Sequence, residues 1–308
     1  MNGRDRVLAA VEGRPVDRPP FSVWYHFASQ HRPPANLAEQ ELAFFDVYRP
    51  DLLKVMNDYR PPLPGGIQEV RRPEEWAALE PLTPEAPTFR SQIEALRIIR
   101  EAVGHRAVIV DTVFSPWATA GRMLGEQGLE RLRQAPEALR QGLAALAESL
   151  ARYVGALLEE GIDGIFFATR GASTAELTGD DFERLVRPYD LQVLEAARPA
   201  RLNVLHVHGT ELDIHRVLDY PAHVVNWSHH HTPPTLAEAR SLTDRCLMGG
   251  IDEQAIGSLT PPEVARQVRA ALEEAGRERF IVGPGCAVPT ETPPDRLLAA
   301  REAADWAR

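Results

Sequence analysis

The chain has 308 residues, 44% hydrophobic and 25% charged, ordinary values for a globular protein with a sizeable core. Its formal net charge of −10 argues against a nucleic-acid or anionic-membrane surface, and no apolar run is long enough to cross a bilayer. Two cysteines, Cys246 and Cys286, do not make a disulfide framework, and the opening MNGRDRVLAAVEGRPVDRPP is too interrupted by charge for a signal peptide, so a cytoplasmic location is expected.

Along the chain, apolar stretches that read as strands alternate with segments of helical periodicity. After an N-terminal extension of about 20 residues, FSVWYHF (21–27) is the first expected strand and ends near His26. DLLKVMND (51–58) is the second, with Lys54 and Asp58 on one face. Lys54 is the one lysine among 34 basic residues, and a compact ammonium kept among arginines points to a task a guanidinium cannot perform, or else to an inward ion pair. AVIVDTVF (107–114) is third and carries Asp111, with Trp117 just beyond. A long helix, ALRQGLAALAESLARYVGALLEEG, leads into the fourth, GIDGIFFAT (161–169), which ends at Arg170. TGDDFERLVRPYDLQVLEAARP reads as one further helix.

The fifth strand is RLNVLHVHG (201–209), the sixth HVVNWSH (223–229) with the run His229-His230-His231 at its end, and the seventh CLMGGID (246–252). A helix with prolines near its start, LTPPEVARQVRAALEEAGRE, precedes the eighth, FIVGPGC (280–286), which ends on Cys286. Eight alternating units predict parallel pairing closed into a single (β/α)8 TIM barrel, one domain over 1–308. An open doubly wound sheet is the alternative, and no GxGxxG or P-loop follows a strand to support it.

In such a barrel the C-terminal strand ends build the active site. His206 and His208 share a face of their strand, whereas Leu205 and Val207 point to the helical layer. Two imidazoles beside the thiol of Cys286 can supply three ligands to zinc, leaving a fourth position for substrate. His26 and His230 are further expected contributors to binding in the mouth, with Trp117 beside them; His230 has a solvent-facing run before a Thr-Pro-Pro turn as its plainer explanation. Asp58 is expected as a hydrogen-bond acceptor or acid/base group.

Several stretches together resemble the uroporphyrinogen decarboxylase superfamily: RVLAAVEGRPVDRPP, DLLKVMND, SPWATAGRML, LTGDDFERLVRPYD, NWSHHHTPPTLAEAR, LMGGIDE and GPGCAVPTETPPDRL. The resemblance covers essentially the whole chain and implies a single (β/α)8 barrel with its site in the mouth. It includes both decarboxylases and zinc-dependent methyltransferases acting on corrinoids and thiols. The decarboxylases' RQAGRY motif is missing, since the corresponding segment reads FSVWYHFASQHRPP. Asp58 matches the pyrrole-binding aspartate, whereas Arg122 stands where a tyrosine is expected and Cys286 where a histidine is expected. The methyltransferase branch takes zinc from an HxC pair and a PGC cysteine; here the matching positions are His206, His208 and Cys286, with histidine in place of the middle cysteine.

The resemblance therefore implies a zinc-dependent methyltransferase whose donor is a corrinoid on a partner protein and whose acceptor is a small thiol or acidic molecule. Asp58, Arg122, Arg170 and Lys54 are the expected substrate-handling residues. Decarboxylation of a pyrrole carboxylate and non-catalytic tetrapyrrole or corrinoid binding are the alternatives; a homodimer is left open.

Overall fold

A computed structural model describes residues 1–305 of the chain. Seven strands form one parallel sheet in sequence order: β1 (Leu52–Val55), β2 (Val108–Phe114), β3 (Gly164–Thr169), β4 (Val204–Val207), β5 (Val224–Trp227), β6 (Cys246–Ile251) and β7 (Phe280–Pro284). Nearly every strand residue is buried, as expected for strands covered on both faces.

The first expected strand, 21–27, does not form, so seven of the eight are present among the described residues. Phe21 alone makes a parallel bridge to Val282. Val282 N–H donates to Pro20 O and Ser22 N–H to Val282 O, each at 2.8 Å, while Asp51 N–H donates to Phe21 O at 2.8 Å. The segment thus touches both edges of the curled sheet with a few bonds instead of a ladder. Pro19 and Pro20 have no N–H to contribute to one.

Two layers of apolar side chains follow from strand alternation. Val108, Val110, Phe166, Val204, Val224, Met248 and Ile281 fill the concave interior with Trp24 and Met56. Leu53, Val55, Ile109, Phe167, Leu205, Val207 and Val225 pack outward against helices. The helix Pro136–Glu159 shows why: Leu139, Leu143, Leu146, Leu150, Val154 and Leu157 recur at three- and four-residue spacing and are all buried. Each such side chain contributes about 1.5–3 kcal/mol of burial.

The helix expected over 178–199 is broken into Gly179–Leu185 and Arg187–Ala196. Pro188 explains the break, because it lacks an N–H and its ring collides with the carbonyl four residues back.

At the N-terminal end of the strands, buried ion pairs hold the chain's start in place. Asp51 accepts from Arg6 Nη1 and Arg18 Nη1, both at 2.6 Å, and from Phe21 N–H at 2.9 Å. Arg6 also binds Asp17 at 2.7 Å, and Arg18 pairs with Asp305. The GRPVDRPP stretch therefore serves as a structural clasp far from the strand ends that carry chemistry. Among the described residues no helix is long and apolar enough to cross a membrane.

Candidate metal centre and substrate cavity

A cavity of about 200 Å³ opens at the C-terminal ends of the strands. Lys54 and Met56 from β1 and the residues just after it line one side; Thr112 and Phe114 come from β2, Phe166, Ala168 and Arg170 from β3 and its end. His206 from β4 and His208 just after it, together with Cys286 after β7, line the far wall, and Trp24 and His26 cover it.

His206, His208 and Cys286 each offer a donor atom, and these atoms all lie within 4.8 Å of one another. Cys286 Sγ is 3.9 Å from His208 Nδ1. Strand register and parity bring them together: Val204, His206 and His208 face inward, and the loop leaving β7 crosses above them. His206 is oriented by a residue that the sequence reading passed over. Its Nδ1 lies 2.7 Å from Asn226 Oδ1, directly across the β4–β5 pair. The Asn226 amide nitrogen donates to Met248 O at 3.1 Å and Pro284 O at 3.0 Å, so its oxygen must face the imidazole. Nδ1 then carries the proton and Nε2 keeps its lone pair, the tautomer a metal ligand needs. Burial, then the neighbouring His208, push the His206 imidazole down to about 3, so it is neutral at ordinary pH. Partial desolvation and Arg170 lower His208 as well, while burial raises the Cys286 thiol against the pull of the Ala287 N–H and Lys54.

Lys54 is 3% exposed. Its ammonium stands 4.9 Å from the Phe166 ring centroid and 5.3 Å from that of Trp24, and donates to Met56 Sδ at 3.3 Å. No carboxylate lies within ion-pair distance of it among the described residues, so the inward ion pair considered for Lys54 is not formed. Desolvation lowers its pKa to about 8, with Cys286 and Glu41 the strongest influences in the other direction.

Asp58 sits at the mouth. His26 Nδ1 is 2.9 Å from its Oδ1, and Arg122 Nη2 is 3.1 Å from its backbone oxygen and 3.7 Å from Oδ1. Burial opposes ionisation of Asp58, but His26 and Arg122 together hold its carboxyl below the usual range. Arg122 lies over the Phe114 ring at 3.9 Å, and Arg170 is paired with Glu176 at 2.7 Å. Lys54, Arg122 and Arg170 line the cavity itself, with no carboxylate among its lining residues. The cavity therefore favours an anionic occupant.

The remaining expected residues lie elsewhere. Trp117 is buried in the first turn of the helix Pro116–Arg133 and lines a separate hollow with Gly121, Glu130 and Glu176. His230 packs against His229 at a tilt of 37°, ring centroids 4.1 Å apart, outside the cavity lining. His229 Nε2 accepts the Gly250 N–H at 2.9 Å, and His231 Nε2 is 2.7 Å from Asp252 Oδ1, so both are satisfied structurally. Asp111 faces the helical layer, where Gln92 and Tyr153 donate to it at 2.7 and 2.8 Å.

Glu253, another residue absent from the sequence reading, is 5% exposed. Ser228 Oγ donates to its Oε1, and its Oε2 is buried with no hydrogen-bond partner. A Cβ added to Gly285 would stand 2.7 Å from this Oε2 and 2.5 Å from Ser228 Cα, which explains glycine beside Cys286. Two imidazoles and a thiol whose donor atoms lie within 4.8 Å of one another, with His206 held neutral by burial, are a donor set that fits a divalent metal such as zinc.

With this geometry in place, the family model for uroporphyrinogen decarboxylase (URO-D) matches residues 55–306. The chain belongs to that family. It is 27% identical over 337 aligned positions to a uroporphyrinogen decarboxylase from Synechococcus sp., covering 94% of this chain and 89% of that protein. It is 23% identical over 214 positions to the methylcobamide:CoM methyltransferase MtbA of Methanosarcina acetivorans, covering 69% of this chain and 62% of that one. A methyltransferase from Methanosarcina mazei has the same fold, with a TM-score of 0.78, 19% identity and 99% of both chains covered. The family thus contains both decarboxylases and methyltransferases.

Proposed function

We propose that this chain is a zinc-dependent methyltransferase acting on a small anionic thiol, with a corrinoid on a partner protein as methyl donor. The convergence of one donor atom each from His206, His208 and Cys286 on one wall of the cavity, with His206 Nδ1 engaged by Asn226, carries this reading. Zinc bound there would hold an incoming sulfur as thiolate, the nucleophilic form, in its remaining position. The similarity to a methylcobamide-dependent methyltransferase supports the choice of donor.

The chain's own residues perform the rest. Asn226 fixes the His206 tautomer. Lys54 places one uncompensated positive charge deep in the cavity, where it attracts the anionic acceptor and offsets its desolvation. Arg122, anchored on Asp58 and Phe114, presents a planar donor fork for a carboxylate or sulfonate at the mouth. Trp24 and Phe166 exclude water from the sulfur, so that it meets the methyl group instead of a proton donor.

Decarboxylation of a pyrrole carboxylate is the second reading, favoured by the ionised Asp58 at the mouth and by the decarboxylase relatives. One observation weighs against it: RQAGRY is missing. Metal analysis of the purified protein after zinc reconstitution separates the two. One zinc per chain, lost in His208→Ala and in Cys286→Ala, is expected. No zinc, together with loss of carboxylates from uroporphyrinogen in an anaerobic assay, establishes the decarboxylase instead.

A further inference from the structure

Beside the substrate cavity lies a larger hollow of about 710 Å³ that the proposed methyl transfer leaves unused. Arg122 lines both. A narrow cleft of about 30 Å³ shares Phe114 and Arg122 with the cavity and Arg60 and Thr88 with the hollow, so the two spaces adjoin at the Arg122 side chain. Arg60 follows β1 and is exposed, with no carboxylate within ion-pair distance among the described residues. Asp58 is the one carboxylate in the hollow's lining, and it is already engaged by His26 at 2.9 Å and by Arg122 at 3.7 Å. Burial lowers the pKa of the Arg122 guanidinium; Asp58 opposes this, and Arg60 lowers it further. Two guanidiniums thus repel each other across a space that holds a single, shared carboxylate. Hydroxyl groups complete the wall: Thr88 Oγ1 is buried without a hydrogen-bond partner, and Tyr59 and Ser91 stand in the same lining.

We infer that this hollow is a phosphate subsite, and that the acceptor is a thiol extended by an arm ending in a phosphate ester seated between Arg60 and Arg122. Two planar forks and three hydroxyls offer more donors than the two oxygens of a carboxylate can use, whereas a phosphate monoester brings three charged acceptor oxygens. A phosphate there would also relieve the repulsion between the two arginines. The sulfur end of this ligand rests on the thiol-acceptor reading; the phosphate end stands on Arg60, Arg122 and Thr88 independently of any metal. Thiols too short to reach past Arg122 forgo this anchor, so the hollow selects the acceptor by the length and terminal charge of its arm.

Binding measurements test the two ends separately. Inorganic phosphate is titrated into metal-free wild-type protein, Arg60→Gln and Arg60→Lys and followed by phosphorus NMR. Arg60 is exposed, so its replacement leaves the core untouched. Saturable binding is expected in wild type, about 10- to 100-fold weaker in Arg60→Gln and partly recovered in Arg60→Lys, which keeps the charge but not the fork. Zinc-loaded protein is then titrated calorimetrically with ω-mercaptoalkyl phosphates of graded length and with the matching mercapto-alcohols. Once the arm spans the two spaces, the phosphate should add about tenfold or more in affinity to wild type and nothing to Arg60→Gln, while the mercapto-alcohols bind both proteins alike. No phosphate binding by wild type, or equal binding by wild type and Arg60→Gln, overturns the subsite. Arg60-dependent phosphate binding with no gain for a mercaptoalkyl phosphate of any length overturns the assignment of the phosphate to the acceptor. Should no thiol bind the zinc-loaded protein while phosphate binding still depends on Arg60, the thiol reading falls and the subsite stands.

Discussion

Asn226→Ala should weaken zinc binding through a residue that does not touch the metal. Asn226 makes three buried hydrogen bonds: from His206 Nδ1 at 2.7 Å, to Met248 O at 3.1 Å and to Pro284 O at 3.0 Å. At about 1 kcal/mol net for each, the variant should be about 3 kcal/mol less stable. The zinc effect has a separate cause. Without the Asn226 oxygen nothing holds the proton on Nδ1, and the tautomer with the proton on Nε2 has no lone pair facing the cavity. The expected loss is 10- to 100-fold in zinc affinity, or about 1.4–2.8 kcal/mol. Competition against a chromophoric chelator measures the affinity, and urea denaturation of the metal-free protein measures the stability. Asn226→Asp divides the two effects: it keeps an acceptor for His206 but loses both amide donors, so stability should fall while zinc affinity is kept. Zinc affinity in Asn226→Ala within twofold of wild type would refute the tautomer argument, however much the protein is destabilised.

Lys54→Met should stabilise the protein and weaken its preference for anionic ligands. Burial holds the folded lysine at about 8 against an ordinary 10.5, so below about pH 8 an unpaired ammonium is being held at a cost of about 3 kcal/mol, at about 1.4 kcal/mol per tenfold in proton affinity. A raised denaturation midpoint at pH 7 with lost binding of a mercaptocarboxylate is the expected pair of results; unchanged binding argues against its role. Asp51→Ala should cost about 3–5 kcal/mol, because it strands Arg6 and Arg18 in a buried clasp. Thermal denaturation checks this, and a midpoint shifted by only a degree or two would show that the clasp is dispensable. Asp190 is buried, bonded by Thr169 at 2.6 Å, and pushed up to about 8 by burial. The unfolded carboxyl ionises near pH 4 while the folded one keeps its proton to about 8, so its contribution to stability is lost as pH rises across that window. Wild-type stability should therefore fall more between pH 5 and 8 than that of Asp190→Asn, and parallel pH profiles for the two proteins would contradict this.

Much of this molecule is written locally. The two-residue alternation of LNVLHVHG already placed His206 and His208 on one face and Leu205 and Val207 on the other, and the pairing of β4 with β5 keeps that parity. Helical spacing marked the buried stripe of Pro136–Glu159 for the same reason, that side-chain direction is set by backbone repeat. Parity alone went wrong where the chain stops being regular. The 21–27 stretch looked like a strand by composition, yet it follows Pro19 and Pro20 and makes a single bridge; Pro188 divided what periodicity read as one helix.

The sequence by itself determined the inward pair of histidines, the lone lysine on the inner face of β1 and the family to which the chain belongs. Tertiary structure decided which residues complete the site. Asn226 is 20 positions from His206 and meets it only through parallel strand register, and Cys286, 78 positions from His208, meets it only because the loop leaving β7 lies over the end of β4. It likewise sent Trp117, His230 and Asp111 away from the cavity, since the direction of a side chain at a strand end or in a loop is fixed by what packs against it. Periodicity is a property of one segment, whereas a buried charge finds its counter-charge across segments, and only the closed fold brings those together.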